Sequence, residues 1–230
     1  MKKRYFAMNS TGSITGRLDR KDTLWVFGTG VLDIPYYYQR KELRKAKQLV
    51  ISGAISEIGE SAFSLPNVEE ILITAAVKRI GMHAFSNCPN LRRIVLPEGV
   101  ETLGTVPFGY NPKLEVINFP NSLTKWGNAV CIKCPSLKRV VLPGNVKDIP
   151  WEGFADCTSL EEVVLPEGLE IIQDNAFFEC TSLKRIVIPT SVHLIQRLAF
   201  AYCCELKEVI FLGERPQIES DAFIHTKVKL

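Results

Sequence analysis

Apolar residues recur along most of this chain with a fixed period of 23 residues. Such a period is typical of a repeat solenoid, in which each repeat forms one coil that packs on its neighbours. The most regular slot holds leucine, with one valine: Val68, Leu91, Leu114, Leu137, Leu160, Leu183 and Leu206. A second slot holds the phenylalanine that closes most coils, with the first one residue out of the period: Phe63, Phe85, Phe108, Phe154, Phe177, Phe200 and Phe223.

Read as one template, each coil is C-x-x-L-x-x-I-x-L-P-x-x-V-x-x-I-x-x-x-A-F. The alternation I-x-L predicts a strand, V-x-x-I a short extended stretch, and A-F-x-x-C a helical turn. A proline directly follows the I-x-L strand in five coils, where it stops the strand because it has no N–H to donate. These prolines are Pro97, Pro120, Pro143, Pro166 and Pro189.

The two ends of the chain depart from the period. Residues 14–18 and 23–27 alternate like strands around a polar turn, which predicts a hairpin that caps the solenoid. Residues 35–48 break the period and are predicted to form a basic helix or loop within the cap. Residues 227–230 are predicted to form a last strand. The predicted organisation is one structural domain: a lead-in and cap over 1–48, about seven to eight coils over 49–223, and a terminal strand or tail over 224–230.

The template resembles the BspA-like subclass of leucine-rich repeats over roughly residues 23–230. Two segments that carry the resemblance are Ala84-Phe85-Ser86-Asn87-Cys88-Pro89-Asn90-Leu91 and Ala176-Phe177-Phe178-Glu179-Cys180-Thr181-Ser182-Leu183. The resemblance implies an α/β repeat solenoid that is mostly β, with a right-handed coil, a parallel sheet, short helical turns and an N-terminal β-hairpin cap. It also implies a non-catalytic module that recognises proteins, with adhesion to host or matrix proteins at the cell surface.

The formal net charge of +3 gives no general attraction to nucleic acid or to anionic membranes. The sequence contains no run of 18 apolar residues, so no transmembrane helix is predicted. The start, Met1-Lys2-Lys3-Arg4, resembles the basic opening of a signal peptide, but no apolar stretch follows it, so no signal is predicted. The resemblance favours a surface location, whereas free cysteines suit a reducing compartment, and the sequence leaves the localisation open.

Five of the seven cysteines occupy one repeat slot, three residues before the leucine: Cys88, Cys134, Cys157, Cys180 and Cys203. A slot of this kind predicts small, buried, free thiols rather than disulfides or a metal site. The coils around residue 120 are the least regular, because Cys131 stands where phenylalanine is expected and Trp126 enlarges a core slot. Compensation between these two residues explains the irregularity, and a bend that binds a partner is the alternative.

Outward positions of the predicted sheet form an apolar stripe that begins at Leu72. The candidate partner-binding residues of this stripe are Val95, Asn118, Val141, Val164, Val187 and Ile210. β-Branched residues also suit any pleated surface, so the stripe reflects either strand propensity or an interface. Beside it, two rows alternate in charge sign from coil to coil through most of their length, which predicts ion pairs between coils and little net field.

No catalytic, cofactor-binding or metal-binding arrangement is predicted, because the three histidines occupy different repeat slots and no phosphate-binding glycine motif is present. Two function classes remain. The first is a module that recognises a protein partner, with an intracellular adaptor as a variant. The second is a structural scaffold that self-assembles as a weak homo-oligomer.

Overall fold

The computed structural model describes residues 5–8, 13–33 and 43–229 of the chain. Within them the chain winds into a mostly-β solenoid of about eight turns. The basic residue Lys41 and the three tyrosines Tyr36, Tyr37 and Tyr38 of the cap lie outside the described residues. The described part of the predicted basic segment contains one 3-10 turn, Leu43–Lys45.

Most coils contribute a strand of two to four residues to each of two rows of parallel strands, a main ladder and a second ladder. The strand pairing is interrupted at two places in the main ladder and at one place in the second ladder, so the described strands form four sheets. The strands are, in chain order, β1 (Tyr5–Ala7), β2 (Ile14–Leu18), β3 (Thr23–Leu32), β4 (Gln48–Ile58), β5 (Glu70–Ile73), β6 (Arg79–Ile80), β7 (Arg93–Val95), β8 (Thr102–Leu103), β9 (Val116–Asn118), β10 (Lys125–Trp126), β11 (Arg139–Val141), β12 (Asp148–Ile149), β13 (Glu162–Val164), β14 (Ile171–Ile172), β15 (Arg185–Ile188), β16 (Leu194–Ile195), β17 (Glu208–Phe211) and β18 (Gln217–Ile218).

The 23-residue period sets the register of both ladders. In the main ladder Ile71 pairs with Ile94, and Ile94 pairs with Ile117. In the second ladder Ile149 pairs with Ile172 and then Ile195. Residues of one slot therefore stack on one another, and the inward slots build a continuous buried core. The solenoid predicted from the period is confirmed.

A hairpin covers the N-terminal end of this core. Strand β2 pairs antiparallel with β3, and β3 then pairs parallel with β4, which passes from the main ladder into the second ladder. The chain turns between β2 and β3 at Asp19, whose carboxylate accepts hydrogen bonds from the backbone N–H of Thr23 at 3.0 Å and from the indole N–H of Trp25 at 3.0 Å. The cap predicted over residues 14–27 is confirmed.

The segment predicted as a helical turn is instead a third ladder of backbone hydrogen bonds. In one coil the N–H groups of Glu152, Phe154 and Asp156 donate to carbonyls 22 residues ahead, at 3.1, 2.8 and 2.8 Å. Glu152 and Asp156 have φ values of 54° and 59°, in the left-handed region, and the same two slots are left-handed in the neighbouring coils. A helix does not form there because alternate N–H groups point to the next coil rather than back along their own.

The predicted terminal strand is absent from residues 227–229, and Leu230 lies outside the described residues. The N–H of Lys227 donates to the Leu206 carbonyl at 2.9 Å, but the next N–H, that of Val228, bonds locally to the Thr226 hydroxyl at 3.3 Å. This local bond uses the donor that a strand would offer to its neighbour.

Phenylalanine rings stack along the core, except where Cys131 replaces one. Phe154 stacks on Phe177 with ring centroids 5.6 Å apart, and Phe177 on Phe200 at 5.2 Å. Beside Cys131, Trp126 and Phe119 approach Phe154 edge-on, at 6.4 and 6.2 Å. These two rings occupy the core next to the small thiol, which agrees with compensation between Trp126 and Cys131.

This compensation predicts a coupled pair of substitutions. Cys131→Phe alone should lower the free energy of unfolding by about 1–3 kcal/mol, because the added ring meets a core already filled by Trp126. Trp126→Ile restores the residue most common in that slot and makes room for the ring. In a double-mutant cycle measured by urea unfolding, the double variant should lose less free energy of unfolding than the two single variants lose together, by about 0.5–3 kcal/mol. Additive effects would show that the two side chains do not share one space.

Candidate partner-binding surface

Each strand of the main ladder turns alternate side chains outward. In β13 the middle residue, Val163, is 8% exposed and belongs to the core, while Glu162 and Val164 on either side face outward. Strands β9 and β11 show the same order of an exposed, a buried and an exposed residue. The outward direction predicted for the stripe is therefore confirmed.

The stripe is solvent-accessible over its whole length. Val141 is 42% exposed, Val164 38% and Leu72 37%. The remaining apolar members, Val95, Val187 and Ile210, are half-buried beside their neighbours. Seven strands at the usual parallel spacing place the two ends of the stripe about 29 Å apart.

Asn118 interrupts the stripe and has a structural role that the sequence did not indicate. Its side-chain amide donates to the carbonyl of Leu96 at 2.9 Å and accepts the N–H of Leu96 at 2.9 Å. It thereby extends the backbone pairing of β7 beyond Val95.

Two residues earlier on the same face, Val116 is 47% exposed, more than any valine of the stripe. Val116 stands in a slot that is charged in the other coils, and for this reason the sequence pattern did not select it.

The charged slots that flank the stripe form ion pairs between coils. The N–O distances are 2.6 Å for Arg92 with Glu115, 2.8 Å for Arg139 with Glu162, and 3.7 Å for Arg93 with Glu70 and for Arg185 with Glu208. All eight side chains are well exposed, so each pair contributes only about 0.2–1 kcal/mol. Their main effect is to neutralise the face, as the alternating signs predicted.

The slot that holds cysteine in most coils accepts a small side chain, and that side chain also donates a hydrogen bond. Its thiols donate to the backbone carbonyl in the phenylalanine slot of the preceding coil. The Sγ–O distances are 3.3 Å (Cys134 to Phe108), 3.2 Å (Cys180 to Phe154) and 3.1 Å (Cys203 to Phe177). In the one coil with Asn111 in this slot, the buried amide donates to the equivalent Phe85 carbonyl at 3.0 Å. From Cys88 to Cys203 the slot therefore holds a small donor, which explains why cysteine and asparagine exchange there, whereas the first coil has Leu65 in this position.

All seven cysteines are free thiols, and six of them are buried. Burial raises the pKa of the Cys88 thiol to about 11 and that of Cys203 to about 12. Burial also raises the pKa of Cys131, Cys157 and Cys180 well above the ordinary value. These thiols stay protonated at neutral pH, and a protonated buried thiol is a poor nucleophile and metal ligand.

The histidines do not form a common site among the described residues. His83 lies 3.4 Å from the hydroxyl of Ser86 through Nδ1, and His225 stacks on Tyr202 with ring centroids 4.5 Å apart. His193 lies in a different coil from both. Within residues 5–8, 13–33 and 43–229, no group of three or more His, Cys, Asp or Glu side chains is placed to hold a metal ion.

The ladders, the phenylalanine stack and the repeat template together define a leucine-rich-repeat solenoid. The sequence profile described as BspA type leucine rich repeat region matches residues 36–138 and 127–230, in six copies. The chain therefore belongs to the BspA-type leucine-rich-repeat family. Proteins with these repeats form interaction modules that bind other proteins, on a scaffold that is not itself an enzyme fold.

Solved bacterial structures share the fold at low sequence identity. A leucine rich cell surface protein from Faecalibacterium prausnitzii is 23% identical with a TM-score of 0.68, over 93% of this chain and 56% of that one. A leucine-rich repeat protein from Bacteroides ovatus is 22% identical with a TM-score of 0.57, over 98% and 68% of the two chains. The T. pallidum leucine rich repeat protein is 20% identical with a TM-score of 0.56, over 87% and 91%. The chain thus spans little more than half of the Faecalibacterium protein.

No curated protein matches the sequence. Among the described residues, no helix has the length and apolar character needed to cross a membrane.

Proposed function

We propose that the outward face of the main sheet binds a protein partner, with the apolar stripe centred on Val141, Val164 and Val187 as the contact surface. The observation that carries this proposal is the exposure of the stripe, which the core does not use. Contiguous apolar area on a protein surface is characteristic of an interface. The flanking ion pairs leave the surface without a strong field, so the partner is recognised mainly through shape and apolar contact.

The proposed setting is the cell surface, with adhesion to host or matrix proteins as the activity and no catalytic step. The Faecalibacterium protein that shares the fold is described as a cell surface protein, which supports the location. A scaffold that self-assembles through the same stripe is the second candidate. It is favoured by the same exposed valines, and the mass of the protein in solution distinguishes it from a monomeric receptor.

The test is the triple substitution Val141→Thr, Val164→Thr and Val187→Thr. Threonine keeps the β-branched shape that suits a strand but replaces a methyl with a hydroxyl, so the fold should persist. Binding to a panel of purified extracellular matrix proteins, measured by surface plasmon resonance, should weaken at least about tenfold, or about 1.4 kcal/mol. The loss should be nearly the same at low and high salt, because the contact is not ionic.

Leu212→Ser with Ile224→Ser is the matched control. These two residues are 56% and 44% exposed in the last coil and lie outside the stripe, so matrix binding should be unchanged. If self-assembly is the function, the wild type should show a concentration-dependent mass that the valine triple variant loses. Unchanged binding and unchanged assembly in a correctly folded triple variant would contradict the assignment of this face.

A further inference from the structure

A second apolar cluster lies outside the core, on the face built by the turn ladder. It consists of Ala129, Ile132 and Ala155, with Val106 and Phe178 packed against it. The turn ladder is a segment of each coil separate from the main sheet, so this cluster and the stripe of Val141 and Val164 are different surfaces.

One slot of the turn face, whose side chains are mostly buried against their neighbours, alternates between small and large residues from Gly109 onward. The slot directly follows the core phenylalanine of each coil and holds Ser86, Gly109, Ile132, Ala155, Phe178, Ala201 and Ile224. Because neighbouring coils are only about 4.8 Å apart, a small residue between two large ones leaves a notch about one coil wide. This pattern creates two such positions, at Ala155 and Ala201, and a third notch with a large residue on one side only, at Gly109 between Ser86 and Ile132.

The protein itself fills two of the three notches. At Gly109 an added Cβ would lie 2.6 Å from Cγ1 of Val106 and 2.8 Å from Cγ2 of Ile132, so these side chains already occupy the space. Above Ala201, the ring of the next residue, Tyr202, reaches Phe178 with centroids 5.3 Å apart. The residue that follows Ala155 is Asp156, which is too short to do the same. The notch at Ala155 is part of a cleft of about 450 Å³.

The walls of this cleft combine apolar surface with two carboxylates. Its lining includes Ile132, Ala155 and Phe178 on the apolar side, and Glu152 and Asp156 as acids. Neither carboxylate forms an ion pair within 4.0 Å with any described residue, although nine such pairs exist elsewhere on the described surface.

The cleft is also lined by one cation, Lys133, which is engaged with an aromatic ring rather than paired with these acids. The ammonium of Lys133 lies over the ring of Tyr110, 5.7 Å from its centroid. Burial and, second, the charge of Asp156 raise the pKa of Glu152, and the charge of Lys133 opposes them only partly. The cleft therefore has an excess of negative charge that its own residues do not neutralise.

We propose that this cleft binds an arginine side chain of a protein partner, with its aliphatic stem in the notch over Ala155 and its guanidinium between Glu152 and Asp156. The planar guanidinium presents several N–H donors at once and is matched to carboxylate geometry. It also stacks on aromatic faces, and Phe178 offers one in the same cleft. A lysine ammonium is a compact point charge, so it lacks the planar fork that can contact both carboxylates and stack flat on a ring.

The probe is the tripeptide acetyl-Gly-Arg-Gly-amide, titrated into the folded protein and followed by NMR of the methyl groups of Ala155 and Ile132. Saturable shifts of these methyls are expected at millimolar peptide. The same titration should lower the apparent pKa of the Glu152 carboxyl, read from its side-chain ¹³C shift, because an added cation favours the charged form. Matching peptides with lysine, and with the uncharged isostere citrulline, should bind at least about fivefold more weakly.

Three variants separate this site from a general surface effect. Ala155→Leu should abolish the shifts of Ile132, and it should fold because Ile132 and Phe178 occupy the same slot in adjacent coils. Asp156→Asn should weaken the arginine peptide roughly tenfold. Glu179→Gln, which removes one charge from the slot of Asp156 in the next coil but does not line the cleft, should have no effect.

Equal binding of the lysine peptide, or arginine binding that persists in Ala155→Leu, would overturn the proposal. The threonine triple variant of the sheet stripe should bind the arginine peptide normally. The two proposals can therefore fail independently of each other.

Discussion

The free energy of unfolding is expected to fall steeply between pH 8.5 and pH 10. A thiol exposed in the unfolded chain ionises with a pKa near 8.5, whereas burial holds the folded pKa of Cys88 at about 11 and that of Cys203 at about 12. Above pH 8.5 the folded state therefore retains protons that the unfolded state has lost. Stability contributed by these groups is complete below the unfolded pKa and is lost as the pH rises.

The effect is large because the thiols are stacked in one slot of many coils. At pH 10 each fully protonated buried thiol lowers the free energy of unfolding by about 2 kcal/mol, so Cys88 and Cys203 together account for about 4 kcal/mol. Burial shifts the pKa values of Cys131, Cys157 and Cys180 in the same direction. Since domains of this kind have only about 5–15 kcal/mol of stability, unfolding near pH 10 is expected.

Urea unfolding at pH 7, 8, 9 and 10 measures this dependence. Cys203→Ala should reduce the slope of the free energy of unfolding against pH by up to about 1.4 kcal/mol per pH unit. Lysines and tyrosines titrate alike in the variant and the wild type, so the difference between the two slopes reports this thiol alone, whatever the substitution does to stability at pH 7. As a check on burial, a thiol reagent at pH 7 should modify only the exposed Cys204 in the folded protein and the six buried thiols after unfolding. A pH profile that Cys203→Ala leaves unchanged would contradict the linkage.

Leu137→Ala is expected to lower the free energy of unfolding by about 2–5 kcal/mol. Leu137 is fully buried in a central coil and lies between the leucines of the two neighbouring coils, Leu114 and Leu160, which are also fully buried. Removing its side chain loses the transfer free energy and leaves a cavity that the stacked coils cannot close, because backbone hydrogen bonds of the turn ladder fix the spacing of this coil to both neighbours. Denaturant unfolding measures the change.

Val141→Ala is the matched control, four residues later on the outward face of the same coil. Val141 is 42% exposed, so its truncation should cost less than about 1 kcal/mol. Hydrogen exchange should show the effect of Leu137→Ala in the coils on both sides, because stability in a solenoid is shared across coil interfaces. A loss below about 1 kcal/mol for Leu137→Ala would mean that its slot does not belong to the core.

Residues that repeat with the period were placed correctly from the sequence. Ile94, Ile117 and Val140 are inward because they share a slot, and Val141 and Val164 are outward because side chains alternate along a strand. The turns were wrong in one respect: the left-handed slots are occupied by residues such as Glu152 and Asp156 rather than glycine, so nothing in the sequence warned against a helix.

The terminal segment and Asn118 show the limit of pattern reasoning at single positions. Lys227 and Val228 alternate with neighbours as a strand does, but the Thr226 hydroxyl takes the N–H of Val228. Asn118 stands in an outward slot, and its amide nevertheless bonds to the backbone of Leu96. Both outcomes depend on a hydrogen bond between one side chain and one backbone group. A repeat template describes only what the coils have in common, so it does not predict such a contact at a single position.

The sequence by itself determined the solenoid, its register, its core slots and the outward apolar stripe of this BspA-type repeat protein, because a fixed period brings every member of a slot into the same environment. Only the tertiary structure decided how the irregular positions are accommodated. Trp126 and Phe119 fill the space beside Cys131, and the ring of Tyr202 fills the notch at Ala201, while the notch at Ala155 stays open because Asp156 is short. Such features depend on which neighbouring side chain reaches across from another coil, and the reach of a side chain is a property of the packed fold rather than of the period.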